Sequence, residues 1–369
     1  MSANGTQETV VVAMSGGVDS SVAAALLIER GYRVIGITMK TYDFDEVGGN
    51  LQNETSCCGL GAIHDARAAA SKLGIPHYVV DFREPFSEHV IQNFVGEYLN
   101  GRTPNPCVIC NREIKWGALL RKADALGASK IATGHYARLR FDEATSRMVL
   151  SRGLYEAKDQ SYALWAVSQE ALGRTLFPLG DLTKPQVRAK ASALGLSNAS
   201  KQESFEICFV ADYDHGRFLN EQVEGLQQSV AGGPIVMDGK QIGSHRGYPF
   251  YTIGQRKGIG SFGKKVYVTE IDKETNTITI GTSVDLLHRG LVATDVNWVS
   301  VAPPTGELKV TAKVRYKDDA SPAVLKPVHG GRVEVLFDER KRAITPGQSV
   351  VVYDGDDVVA GGIIETVLK

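Results

Sequence analysis

The stretch TVVVAMSGGVDSSVAAALLIERG at residues 9–31 constrains the chain more than any other. The β-branched run Val10, Val11, Val12 predicts a buried strand. A Ser-Gly-Gly turn follows, and then apolar residues recur every three or four positions (Val22, Leu26, Leu27), the period of a helix. Asp19 and Ser20 stand at the expected N-cap and first turn, and Gly31 at the expected stop. Strand, glycine turn and helix together present backbone N–H groups and the positive end of a dipole to an anion. Gly16 and Gly17 permit φ > 0 and close approach, and Ser15, Ser20 and Ser21 add hydroxyls.

The Walker pattern G-x-x-x-x-G-K-[ST] is absent and the turn has no lysine, so γ-phosphoryl transfer is not indicated. Ser15–Ser20 instead resembles the pyrophosphate loop of enzymes that split ATP into AMP and pyrophosphate. Downstream, strands at 33–39 and 77–82 and helices at 62–73 and 84–99 continue the alternation. This pattern predicts an α/β fold with a doubly wound parallel sheet and ligands at the carboxyl ends of its strands. A further strand at 130–135 brings Gly134 and His135 to that edge. A hairpin is expected over 136–152, a helix opening at Lys158–Tyr162, and a helix at 184–195 with Pro185 in its first turn.

The chain has 369 residues, 43% of them hydrophobic and 22% charged, with a net charge of −1. That length suits two or three domains. The near-neutral balance excludes a global basic footprint, so any RNA contact must be local. The polar start MSANGTQET has no signal-peptide core, and Ala23–Ile28 is too short to span a bilayer. Five cysteines in a chain this long point to a reducing, cytoplasmic compartment and not to a disulfide framework. Cys57-Cys58, in a polar loop, read as structural or incidental.

Residues 101–112 carry Cys107-Val108-Ile109-Cys110 behind Pro104 and Pro106, with a helix expected from about Asn111. Cys110 then precedes a helix N-terminus, where the dipole favours thiolate, with Arg112 and Lys115 close in sequence. Half a zinc site, a redox pair, or a nucleophile with a neighbour all fit Cys-x-x-Cys. No second such pair or His-x₃-His supplies four zinc ligands. Cys208, on an expected short strand Glu206–Val210, is either core filler or functional.

After about 213, glycine and short alternating runs take over. Met237–Lys240 reads as a hairpin turn and 266–280 as a second hairpin, with the basic loop Tyr251–Gly260 between them. Runs at 291–299, 308–316, 332–337, 350–353 and 358–364 predict a small β-barrel. Its basic set includes Lys309, Lys313, Arg315 and Arg340, and Tyr316 beside Arg315 adds a stacking surface suited to RNA. The expected domains are 1–213, 214–287 and 288–369.

These residues together resemble the tRNA-specific 2-thiouridylases, which replace the C2 oxygen of the wobble uridine with sulfur. The likeness runs through AMSGGVDSS at 13–21, Met39, GRTPNPCVICN at 101–111, ATGHYAR at 132–138 and KDQSY at 158–162. It continues through SFEICFV at 204–210, GQRKG at 254–258, VRY at 314–316 and TPGQ at 345–348. The resemblance implies an adenine nucleotide alpha-hydrolase-like catalytic domain, a small central β-rich domain and a C-terminal tRNA-binding barrel. It implies ATP held by Ala13, Met14, Ser15, Gly16, Gly17, Val18, Asp19 and Ser20 with Met39 and Gly134, and magnesium on the phosphates. Cys208 would carry sulfur as a persulfide, and Cys110 would release or resolve it, leaving a Cys110–Cys208 disulfide for a thiol reductant. Asn105, Pro106 and Cys107 would line the target base, and His135 would contact RNA. Lys158, Asp159, Gln160, Arg315, Tyr316 and Gln348 would hold the anticodon arm, and a cysteine desulfurase or relay protein would supply the persulfide.

Many members of that family carry aspartate where this chain has Cys107. Cys107, Cys110 and Cys208 could therefore hold an iron–sulfur cluster instead. Two other classes compete: a pyrophosphate-loop ligase or amidase acting on a small molecule, and an RNA-binding redox or cluster protein without catalysis. The first gives the cysteines and the basic barrel no use. The second gives the Ser15–Ser20 turn none.

Overall fold

The computed structural model describes residues 7–43, 60–201, 207–210, 212 and 214–369. Cys57 and Cys58 lie outside the described residues, as do Ser204, Phe205 and Glu206. The chain forms two compact units. The first comprises Met1–Val90, Cys107–Tyr213 and Asp356–Val358, and the second Ile91–Pro106, Asp214–Gly355 and Val359–Lys369.

In the first unit, β1 (Thr9–Ala13), helix α1 (Val18–Glu29), β2 (Arg33–Lys40), helix α2 (Leu60–Leu73), β3 (His77–Asp81) and β4 (Lys130–Ala132) succeed one another. The antiparallel hairpin β5 (Ala137–Asp142) and β6 (Arg147–Arg152) follows, and then β7 (Thr175–Leu176). The sheet order is β3-β2-β1-β4-β7, all parallel. β1 is central, with Val10 opposite both Val34 and Lys130. Val10, Val11 and Val12 are fully buried, as a strand covered by helices on both faces requires. Each such side chain stabilises the fold by roughly 1.5–3 kcal/mol. The chain winds from β1 to β2 and β3 on one side, then resumes at β4 on the other. The carboxyl end of β1 is thus the switch point of the sheet.

Helix α1 starts two residues earlier than the sequence suggests. Extended Gly17 is its N-cap, and Asp19 lies within the first turn. The Ser20 and Ser21 hydroxyls donate back to the Gly17 carbonyl (3.1 and 3.2 Å) and close the turn there. Gly31 ends the helix at φ +85°, with Tyr32 N–H on the Leu27 carbonyl and Gly31 N–H on that of Ile28, a Schellman closure.

Three expectations are corrected in this unit. The helix expected from Asn111 begins at Pro106 and runs to 125, with a π-helical segment over Cys110–Ala118. Proline at a first helical position loses no hydrogen bond, so Pro106 starts the helix and Cys110 lies one turn inside it. Lys158–Tyr162 opens no α-helix. Short 3₁₀ turns occupy Glu156–Lys158 and Ser161–Leu164, because the buried Asp159 carboxylate accepts Gly153 N–H, Ser161 N–H and Ser161 Oγ–H (3.1, 3.0 and 2.9 Å). Cys208 sits on a turn, not a strand. Val210 N–H bonds the Ile207 carbonyl, and the Tyr42 hydroxyl, in place of a neighbouring strand, takes the Cys208 carbonyl at 2.6 Å.

From residue 214 the second unit continues with two short helices that the sequence pattern does not predict, His215–Gln222 and Leu226–Val230. Asp214 caps the first, and Phe218 meets Phe94 edge-on at 5.8 Å. A four-stranded sheet follows, built from β8 (Pro234–Met237), β9 (Lys240–Ser244), β10 (Tyr267–Asp272) and β11 (Thr277–Gly281), in the order β10-β11-β8-β9. Asp238 and Gly239, at φ 51° and 74°, make the expected tight turn. The barrel strands are β12 (Leu287–Trp298), β13 (Leu308–Lys313), β14 (Ser321–Val328), β15 (Arg332–Arg342), β16 (Ser349–Asp354) and β17 (Asp357–Leu368). They run β12-β15-β14-β13-β16-β17, and β12 pairs with β17 to close the ring around Leu291, Val310, Leu325, Val335 and Val352. β14 escaped the sequence reading because Pro322 and Pro327 stand in it.

Candidate active site

The turn after β1 is held open by its own side chains. Ser15 N–H donates to Ser20 Oγ at 3.2 Å, and buried Asn198 donates its amide to the Gly16 carbonyl and to Ser21 Oγ, both at 3.0 Å. Gly16 has φ +74°, and a Cβ there would lie 2.2 Å from the Ala62 carbonyl oxygen of α2, so only glycine fits. Ser15 is exposed, whereas Gly16 and Ser20 are buried. No side chain caps α1, so its first-turn amides face the loop. The Asn198 Oδ1 atom is buried and has no hydrogen-bond partner, an orphaned acceptor beside the loop.

Three residues absent from the sequence reading complete this edge: Tyr136, Lys184 and Asn198. Lys184 is buried, and its Nζ lies 2.8 Å from both oxygens of Asp19. The Tyr136 hydroxyl donates to Asp19 Oδ1 at 2.7 Å, and Lys184 Nζ stands 5.9 Å from the centre of that ring. Lys184 opens a helix (Lys184–Ala193) closed by the Thr183–Gln186 capping box with Pro185. A cation in a first turn opposes the helix dipole, and that mismatch was the signal available in the sequence.

Gly134 comes to the same place. A Cβ on it would stand 2.7 Å from Ser20 N and 2.8 Å from the Asp19 carbonyl carbon. Met14 and Met39 flank the edge. Buried Met14 bonds Ile37 through its N–H and accepts the Thr38 hydroxyl at 2.7 Å, and half-buried Met39 pairs with Val80. His135 is half-buried against Trp116 and Phe177. Its Nε2 faces Lys115 Nζ at 3.4 Å and its Nδ1 lies 2.6 Å from Thr133 Oγ1. An ammonium has only hydrogens to offer, so the imidazole proton belongs on Nδ1.

Cys110 and Cys208 both belong to this unit and are half-buried thiols, whereas Cys107 is exposed. The Cys110 helix is tied to the 3₁₀ turn that ends the KDQSY segment and runs past it, because Asn111 donates to the Ala163 carbonyl at 2.7 Å. Gln160 in turn accepts Tyr136 N–H at 3.0 Å. The helix dipole is strongest in the first turn, so it acts on Cys107 more directly than on Cys110. Arg112 reaches Glu113 at 2.8 Å, and Lys115 turns to His135.

In the second unit Arg315 donates to the Ala343 carbonyl, and Tyr316 beside it is 43% exposed. The Gln348 amide donates to the carbonyls of Thr103 and Pro104 (3.2 and 2.7 Å). Pro106 is buried and Asn105 half-buried. Among the described residues no three His, Cys, Asp or Glu side chains are gathered to hold a metal ion. The thiols at 107, 110 and 208 thus do not fit a cluster as placed.

Burial pushes His135 well below the usual histidine value, assisted by the Lys115 charge, and burial likewise lowers His77, His215, His245 and His288. A group with a lowered folded pKa contributes stability above its unfolded value, and that contribution is lost as pH falls. The melting temperature is therefore expected to fall as pH drops below about 6.5, and His135→Gln is expected to flatten that slope. Melts recorded between pH 5 and pH 8 check this; equal slopes for the two proteins would contradict it.

Comparison with known proteins agrees with this architecture. Residues 8–212 match the model for the tRNA methyl transferase HUP domain, 217–282 its PRC-barrel domain, and 288–364 the aminomethyltransferase β-barrel domain. The tRNA-specific 2-thiouridylase MnmA of Salinibacter ruber is 52% identical over 97% of this chain and 94% of its own. Its counterpart in Heliobacterium modesticaldum is 53% identical over 97% and 92%, and that of Cytophaga hutchinsonii 50% identical over 98% of each. With half its residues shared along nearly its whole length, and with a pyrophosphate-type loop at the switch point of its parallel sheet, the chain belongs to the tRNA-specific 2-thiouridylase family.

Proposed function

We propose that this protein is a tRNA-uridine 2-sulfurtransferase: it adenylates C2 of the wobble uridine and replaces the oxygen with sulfur, giving 2-thiouridine, AMP and pyrophosphate. The observation that carries the reading is identity above half, along 97% of the chain, to a tRNA-specific 2-thiouridylase. A carbonyl oxygen is a poor leaving group. Attack of that oxygen on the α-phosphate of ATP expels pyrophosphate and turns the oxygen into part of a good one, AMP.

The first-turn amides of α1 and the hydroxyls of Ser15 and Ser20 receive the phosphates, with Ala13, Met14, Val18, Met39 and Gly134 shaping the nucleotide pocket. Lys184 supplies positive charge to the departing pyrophosphate, and Asp19 and Tyr136 keep it aimed until then. Asn198 fixes the Gly16 carbonyl so that the loop need not reorganise. Magnesium arrives on the ATP phosphates as part of the substrate.

Cys208 carries a terminal sulfur as a persulfide, delivered by an upstream cysteine desulfurase or relay protein. That sulfur bonds to C2 as AMP leaves. The Cys110 thiolate then attacks the Cys208 sulfur, so the bond from Cys208 to the transferred sulfur breaks and its electron pair stays with the thiocarbonyl. The two cysteines are oxidised to a disulfide, which a thiol reductant opens with two electrons. Asn105, Pro106 and Cys107 line the flipped base, and the neutral His135 contacts RNA by hydrogen bonding and not by charge. Lys158, Arg315 and Tyr316 hold the anticodon arm directly. Asp159 and Gln160 serve by shaping the Lys158 turn. The site of action is the cytoplasm, where a reducing milieu keeps the cysteines available as thiols.

Pyrophosphate release from ATP, measured with and without tRNA, tests this. Release is expected only with tRNA, and Gly134→Ala is expected to weaken ATP binding at least tenfold, about 1.4 kcal/mol, because its Cβ must displace the α1 backbone. Equal release without tRNA would favour a small-molecule ligase.

A further inference from the structure

The residues before the Cys-x-x-Cys helix are moored by the second unit's own β-structure. Thr103 N–H bonds the Pro346 carbonyl at 2.9 Å, and the Gln348 amide reaches both following carbonyls, Thr103 at 3.2 Å and Pro104 at 2.7 Å. Arg102 donates to Glu97 at 2.7 Å and to the Ile364 carbonyl at 3.4 Å, the same oxygen that accepts Gly347 N–H. Gly347 has φ +89°, and a Cβ there would lie 2.7 Å from the Thr103 oxygen, 2.8 Å from Glu97 Oε2 and 2.9 Å from Thr103 N. Upstream, the Tyr248 hydroxyl holds the Leu99 carbonyl at 2.7 Å and Lys273 reaches Asn100 at 3.0 Å.

Such density of bonds on a segment with no ladder of its own needs a reason, and both proline and glycine in it reduce what can be bonded. From this geometry we infer that Arg102, Gly347 and Gln348 are positioning residues: the barrel turn 345–348 acts as a latch that sets where Thr103–Pro104, and hence Asn105–Pro106, stand. The inference rests on the proposed role of Asn105 and Pro106 at the target base. It gives Gln348 a different task from direct RNA contact, since its two amide hydrogens are already directed at backbone carbonyls. Misplacing a base-lining segment by about an ångström lowers turnover by up to about a hundredfold without altering how the rest of the RNA is held.

The test uses the full chain with Gln348→Glu, Gln348→Ala and Gly347→Ala, and reads three quantities. Gln348→Glu keeps the shape but removes the donor, and it carries the test should Gly347→Ala not fold. Amide exchange at Thr103, without RNA, is expected to accelerate about tenfold or more in each folded variant. Single-turnover sulfur transfer at saturating tRNA is expected to slow by about ten- to a hundredfold, with the tRNA Kd within about threefold of wild type. A raised Kd with unchanged Thr103 exchange and unchanged saturating rate would overturn the latch and make Gln348 an RNA contact. Faster exchange in the variants, with no sulfur transfer by wild type, would leave the latch standing and overturn the sulfurtransferase reading.

Discussion

Replacing Cys110 or Cys208 with serine is expected to abolish sulfur transfer, by about a thousandfold or more, and to leave ATP binding at the wild-type level. The two substitutions stop the cycle at different points. Without Cys208 no persulfide is carried, so a desulfurase-loaded protein has no sulfur on this side chain. Without Cys110 the persulfide forms but cannot be resolved, and no disulfide accumulates when reductant is withheld. Intact-mass measurement of loaded, non-reduced protein separates these states. The double variant is expected to be no worse than either single one, because both thiols serve one path. Residual transfer above a tenth of wild type in either single variant would contradict the scheme.

Lys184→Met carries the second large effect. Methionine keeps the buried stem packed and removes only the charge, so pyrophosphate release is expected to fall by about a hundred- to a thousandfold, the scale of a lost electrostatic stabiliser. Asp19→Asn acts mainly on stability. It removes the Asp19 carboxylate from beside the Lys184 ammonium, whose side chain is 8% exposed. Removing one partner of a fully buried pair costs about 3–5 kcal/mol, and Asp19 is itself 28% exposed, so about 2 kcal/mol is expected. Combining the two substitutions is expected to restore part of the stability and none of the activity. Urea unfolding and pyrophosphate release separate the two roles. A Lys184→Met protein that releases pyrophosphate at the wild-type rate would remove Lys184 from the chemistry.

How much of this was legible beforehand differs between elements for physical reasons. The Val10–Val12 strand, the glycine turn and α1 are local features whose pattern dictates their structure, and the parallel sheet and closed barrel follow from alternation and period. The start of the Cys110 helix is hidden in the sequence because Pro106 looks like a breaker, although proline at a first helical position sacrifices nothing. β14 was missed for the related reason that Pro322 and Pro327 argue against a strand. Asn198, Tyr136 and Lys184 meet the loop from 117 to 182 positions away, and no periodicity encodes such meetings. The protein hydrogen bonds of Asp159 and Gln348 were not legible either, because a sequence does not reveal which backbone groups will need a side-chain partner. In the structure Asp159 accepts three protein hydrogen bonds and Gln348 donates two.

Nucleoside mass analysis of tRNA incubated with this protein, ATP, magnesium and a persulfide source addresses the central claim most directly. The predicted result is an oxygen-to-sulfur mass increase at the wobble uridine that requires ATP and vanishes with Cys110→Ser or Cys208→Ser. A wobble uridine that keeps its oxygen in the complete wild-type reaction would contradict the account.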